Sequence, residues 1–153
     1  MKKLLSIFLL LFMVSSVGVY SQELEYTTIE ELYTKTEKRP ALIFLTAEWC
    51  TYCEKMKNTS FEEKQIVQVL NERFYFVEFD IEQKEEIKLG DTVFRYKPTG
   101  LKTGTHELAE IIGTIDGVLN TPTIILLNSD MEIVYRYGGY LDTKQLEVLL
   151  ESI

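Results

Sequence analysis

The sequence predicts an α/β domain with a central mixed sheet flanked by helices. Three observations point to it. Between residues 40 and 81 a buried-strand pattern, a helical pattern and a second buried-strand pattern follow one another, the order of a parallel βαβ unit. Residues 121–153 then read as strand, short turn, partner strand and amphipathic helix. Finally, the 132 residues from Gln22 to Ile153 suit one domain with one core.

The first residues read as a leader. "MKK" is cationic, "LLSIFLLLFMV" is an apolar run of eleven, and "SSVGVYS" places Val19 and Ser21 before Gln22. This is the three-part pattern of a secretory signal peptide over residues 1–21, cleaved near Ser21–Gln22. An uncleaved anchor is the alternative. Against it, the run is short for a span of about 20 residues and is diluted by Ser6, Ser15, Ser16 and Gly18. No cysteine lies near the cut, so a lipid anchor there is excluded. The mature domain would be residues 22–153, periplasmic or secreted. Losing Lys2 and Lys3 takes its net charge from −8 to −10. Such a surface repels nucleic acid and anionic lipid.

In "TTIEELYTKTEKR" (27–39) Ile29 and Leu32 share a helical face, with Thr28 as N-cap and Glu31 completing a capping box. "PALIFLTA" (40–47) is an apolar run of strand length, as a strand buried on both faces would show. From Cys50 the pattern turns helical: Cys53, Met56 and Lys57 share a face, and Ile66, Val69 and Leu70 resume it. "FYFVEFDI" (74–81) is the second buried strand, its aromatics serving sheet packing. Residues 82–120 are too long for a bare loop and are expected to form a structured insertion. "DTVFRYKPTG" alternates like one short strand, and "THELAEIIG" reads as a helix between Thr105 as N-cap and Gly113 as stop. "TPTIILLN" (121–128) and "IVYRYGG" are strands joined by the turn "SDME". "DTKQLEVLLESI" is a helix capped by Asp142 or Thr143.

The chain's two cysteines stand in "WCTYC", behind its one tryptophan. A structural disulfide gains most by closing a long loop, and Cys50–Cys53 would close almost the shortest available. A zinc site needs about four ligands, and the chain offers two cysteines and His106. Cu(I) could use the two thiolates, with Met56 as a third ligand, although Met56 also reads as core packing. Thiol–disulfide exchange, an inert disulfide and a metal site thus stand as readings of the pair. His106 reads as a solvated first-turn residue.

"WCTYC" between a buried strand and a helix, with "TPT" opening a later strand and a terminal strand, Gly-Gly and helix, resembles the thioredoxin superfamily. The likeness covers most of residues 40–152 outside the insertion. "AEWCTYCEKMKNTSF" looks most like exported bacterial thioredoxin-related proteins and the C-terminal domain of the transmembrane thiol:disulfide interchange protein. The resemblance implies a thioredoxin-like fold whose insertion precedes a cis-proline strand. It makes Cys50 the attacking thiol and Cys53 the resolving one. Trp49, Thr51, Tyr52, Thr121 and Pro122 would meet the substrate, with Pro122 cis and the Thr121 backbone beside the sulfurs. No organic cofactor or metal is implied beyond the redox-active disulfide.

At a helix N-terminus free N–H groups and the macrodipole favour a thiolate. Lowering a thiol pKa from about 8.5 to about 7 takes roughly 2 kcal/mol, which a favourable dipole can supply. The thiolate fraction at pH 7 then rises about sixteen-fold, but falling nucleophilicity leaves attack only about three-fold faster. Departure of Cys50 during resolution benefits more. Two departures from the superfamily pattern stand out. The buried Asp six residues before the first cysteine is Phe44 here, and the Lys approaching it from the next strand is Phe76. A water or Glu48 is left to move the resolving thiol's proton.

The expected function is an exported thiol–disulfide oxidoreductase that reduces protein disulfides, as a monomer. Its electrons would come from another dithiol protein, a membrane-bound donor being the candidate. An oxidase or isomerase of the same fold, a Cu(I)-binding module, and a partner-binding module with an incidental disulfide are the alternatives.

Overall fold

The computed structural model describes residues 22–153; the expected signal peptide, residues 1–21, lies outside them. Its centre is a four-stranded mixed sheet of β1 (Ala41–Thr46), β2 (Tyr75–Asp80), β7 (Thr123–Leu127) and β8 (Ile133–Gly138), in the order β2-β1-β7-β8. β1 runs parallel to β2 and antiparallel to β7, which runs antiparallel to β8. All six residues of β1 and all five of β7 are buried, as central strands covered on both faces must be. The outer edge of β2 is covered where Tyr26 bridges Phe76 and the Thr27 N–H donates to the Phe76 carbonyl at 2.8 Å.

Helix α1 (Ile29–Thr34) starts on the expected capping box: the Glu31 N–H donates to Thr28 Oγ1 and the Thr28 N–H to Glu31 Oε2. It ends five residues earlier than its sequence pattern, because nothing after Leu32 in "TKTEKR" turns an apolar group to the core. Lys35 and Arg39 instead lay their cations over the Tyr75 ring. Helix α2 (Thr51–Lys57) and helix α3 (Lys64–Arg73) follow β1. Under them Phe61 stands between Phe44 and Phe76, with ring centroids at 4.9 and 5.0 Å. The terminal helix α5 (Thr143–Glu151) packs beside α3, starting on a second capping box of Asp142 and Gln145 and burying Leu146 and Leu150.

Residues 82–120 fold into two hairpins and a helix. β3 (Ile87–Leu89) pairs with β4 (Thr92–Phe94), and β5 (Tyr96–Pro98) with β6 (Gly104–His106). The alternation read as one short strand is therefore two, broken at Arg95. That residue's side chain donates to Glu86 at 2.7 Å and its backbone N–H to Glu107 at 2.8 Å. Helix α4 (Glu107–Gly113) is capped by His106 rather than Thr105, which is spent in β6. His106 is also not the solvated residue its polar neighbours implied. It is 0% exposed, edge-on to Phe79, with Nδ1 accepting from the Leu108 N–H and Nε2 facing the Glu85 carbonyl, both at 3.2 Å. Gly113 ends α4 because it passes against the sheet: a Cβ there would overlap Leu45 and come within 2.9 Å of Leu119 Cδ1.

Candidate active site

The cysteines sit where β1 ends. The chain turns at Ala47, whose carbonyl accepts from the Cys50 N–H at 3.0 Å, and Cys50 becomes the N-cap of α2. Its sulfur accepts the Cys53 N–H at 3.1 Å. Cys50 and Cys53 are joined as a disulfide, their Cα atoms 5.2 Å apart. Cys50 is 6% exposed and Cys53 1%, so the first cysteine is the more exposed of the two. Met56, on the next turn, is fully buried in the core.

The register brings further candidates to the same end of the sheet. Leu45 pairs with Thr123, and Thr123 with Gly138, so Thr121 and Pro122 enter β7 beside the exit of β1. The Thr121–Pro122 peptide is cis, and the Pro122 carbonyl accepts from the Gly139 N–H at 2.8 Å. Thr121 Oγ1 is buried with no hydrogen-bond partner among the described residues. Trp49 and Tyr52 are 64% and 63% exposed, and Thr51 is exposed with them. The substitutions at Phe44 and Phe76 are filled by packing, both side chains being buried against Phe61. Glu48 is exposed in the turn.

Three residues near this end carried no role in the sequence reading. Glu82, the first residue of the insertion, accepts the Trp49 indole N–H at 3.0 Å, and its own N–H is held by Asp80 at 2.8 Å. Glu78, opposite Phe44 in the β1–β2 register, binds Lys57 at 3.2 Å; Lys57 lies one helical turn beyond Cys53 on α2. Burial disfavours the Lys57 ammonium, but the Glu78 and Glu54 carboxylates outweigh it and hold its pKa above the ordinary value. A carboxylate amid the apolar "FYFVEFDI" was the available signal for Glu78. The Tyr140 ring lies tilted to that of Tyr52 with centroids 6.1 Å apart, with Lys55 over it at 4.7 Å, and only the fold brings these together.

Comparison with known proteins agrees with this geometry. A family described as a thioredoxin-like domain matches residues 29–153. Among solved structures, the DsbH oxidoreductase aligns over 88% of each chain at 15% identity with a TM-score of 0.60. A thioredoxin from Thermus thermophilus aligns over 85% of this chain and 86% of its own at 18% identity, also with a TM-score of 0.60. A disulphide isomerase from Xylella fastidiosa Temecula1 aligns over 75% of this chain and 78% of its own at 18% identity and a TM-score of 0.50. At these identities the likeness is one of fold. No curated protein sequence matches. The family match runs unbroken from α1 through the cysteines and the cis-proline turn to the last helix, and the chain belongs to the thioredoxin-like family.

Proposed function

We propose that this thiol–disulfide oxidoreductase works outside the cytoplasm and reduces disulfides in proteins. The observation that carries the exchange chemistry is the asymmetry of the pair: Cys50 caps α2 nearer solvent, and Cys53 is buried one turn in. In the reduced protein the Cys50 thiolate attacks one sulfur of a substrate disulfide, and the other substrate sulfur leaves as a thiolate. Cys53 then attacks Cys50, restoring the intramolecular disulfide and releasing the second substrate sulfur. Two electrons pass to the substrate, and its two thiolates take up the proton that Cys53 gives up on attack and one from water. A dithiol protein must return the electrons; a membrane-bound donor suits an oxidising compartment.

The Cys53 N–H that points at Cys50 Sγ favours the thiolate both before attack and on departure. The reducing direction and export rest on the resemblance of "AEWCTYCEKM" to exported thioredoxin-related proteins and on the leader pattern of residues 1–21. The test is to replace the resolving thiol. Cys53→Ala should accumulate mixed disulfides with periplasmic proteins through Cys50, released by reductant, and Cys50→Ala should trap none. A Cys53→Ala protein that traps nothing sinks the reading.

A further inference from the structure

We propose that two aromatic posts and one unpaired lysine select the polypeptides this site attacks, favouring a cysteine with an acidic side chain on the Tyr140 side. The inference rests on the exchange chemistry proposed above and names its substrate class.

The argument starts from the order of the strand ends. The registers Thr46 to Asp80, Leu45 to Thr123 and Thr123 to Gly138 put the exits of β2, β1 and β8 and the entry of β7 at one end of the sheet. Along that end, in strand order, come Glu82, the cysteines, Pro122 and Tyr140. The two exposed aromatics beside the disulfide lean to opposite sides of it. Trp49 is tied to Glu82 beyond β2, and Tyr52 packs its ring, tilted, against Tyr140 beyond β8. Three interstrand spacings separate those outer exits, about 14 Å, the length of about four extended residues. A short extended segment with its cysteine over Cys50 therefore reaches both posts.

Charge distinguishes the two posts. On the Trp49 side lies the carboxylate of Glu82, which accepts the indole N–H. On the other side Lys55 is exposed over the Tyr140 ring. Lys57, two residues on, is held by Glu54 and Glu78, whereas Lys55 has no carboxylate within ion-pair distance among the described residues. Glu54 itself is engaged by Asn58 and Lys57, which hold its pKa below the ordinary carboxylate range. Other described lysines are also without a carboxylate partner, but Lys55 is the one held over Tyr140, next to Tyr52 of the cysteine motif, and is there a cation open to a partner. Cation–π contact with Tyr140 fixes where that charge stands without neutralising it. An acidic side chain is thus favoured at the Tyr140 end and repelled at the Trp49 end, which also sets the direction of the bound segment.

The test uses short peptides whose one cysteine is capped by methanethiol through a disulfide. Each carries Asp, Asn or Lys two residues before or two residues after that cysteine. Reaction with the reduced protein converts Cys50 and Cys53 to their disulfide and releases peptide and methanethiol as thiols, read by chromatography of the free peptide. An exposed charge pair of this kind is worth about two- to five-fold in rate. In one of the two positions the Asp peptide should react about that much faster than its Asn counterpart, and the Lys peptide slower. The Asp-to-Lys rate ratio cancels any general change in thiol reactivity. Lys55→Gln should bring it to about one, Lys55→Glu should invert it, and Tyr140→Ala should lower it. Equal rates for Asp and Lys peptides at both positions, or a ratio that survives Lys55→Gln, overturns the inference. Reduction of the small uncharged hydroxyethyl disulfide by the unaltered protein is measured alongside. Failure there removes the exchange chemistry itself, whereas success with no peptide preference removes only the selection.

Discussion

At the scale of single residues, the capping side chains decide most. Cys50, the nucleophile of the proposed exchange, is also the N-cap, so the N–H that would otherwise be an orphan of α2 points at its sulfur. His106 plays the capping part for α4, and its burial makes that part depend on pH. With Nδ1 accepting from Leu108, the proton sits on Nε2 and is donated to the Glu85 carbonyl. Burial pushes the pKa of His106 below its ordinary value, against the opposing pull of the Glu85 carbonyl, Glu107 and Glu30. A second proton would also set Nδ1–H against the Leu108 N–H. The unfolded chain therefore takes up this proton first as pH falls. The stabilisation is fully present above about pH 6.5 and is lost as pH drops from there toward the lower folded value. His106→Asn keeps a capping acceptor and removes the titration. It should cost about 1 kcal/mol at pH 7.5, yet lose less stability than the unaltered protein between pH 7 and pH 5 in urea unfolding. Parallel losses in the two proteins would show that His106 takes up its proton equally in the folded and unfolded states, so that its burial contributes nothing to the pH dependence.

At the scale of elements, contact with the sheet sets where the helices stop and how closely they lie. α1 ends when its apolar residues end, and α4 ends on a glycine because its last turn lies against Leu45 and Leu119. Leu45 is fully buried and cannot swing aside. Gly113→Ala should therefore destabilise by about 1–3 kcal/mol, although alanine is the better helix former. A stability equal to that of the original protein in denaturant would mean the α4–sheet contact yields freely. The aromatic layer of Phe44, Phe61 and Phe76 is the corresponding device under α2. It fills with packing the two positions, Phe44 and Phe76, at which the sequence departs from the superfamily pattern it resembles. The partly buried polar pair on this face is instead Lys57 with Glu78.

At the scale of the whole molecule, the sheet order gathers segments distant in the chain at one end. The loop after β1, the turn before β7, the exit of β8 and the start of the insertion converge around one disulfide. The potential of that disulfide is a property of this assembly and tests the direction proposed above. Equilibrated against glutathione and dithiothreitol buffers, with free thiols counted by alkylation, the whole protein should titrate near about −270 mV, as a reductant would. A value near about −120 mV would make it a disulfide donor and reverse the proposal.

Local signals carried much of the fold. Continuous apolar runs marked β1, β2 and β7, and capping residues marked the starts of α1 and α5, because burial pattern and end-capping are written within a few neighbouring residues. The cysteine pair and its place between a buried strand and a helix were legible for the same reason. What needed the tertiary structure was every contact between distant segments: Glu82 on Trp49, Tyr140 on Tyr52, Glu78 on Lys57, and the burial of His106. Each partner looks like an ordinary polar or aromatic residue in its own stretch. Sequence alone determined the cysteine pair the chain carries and the strand and helix from which it is presented. Only the packing of β2 and β8 on either side decided what surrounds it, because strand order and register are global properties that no local pattern encodes.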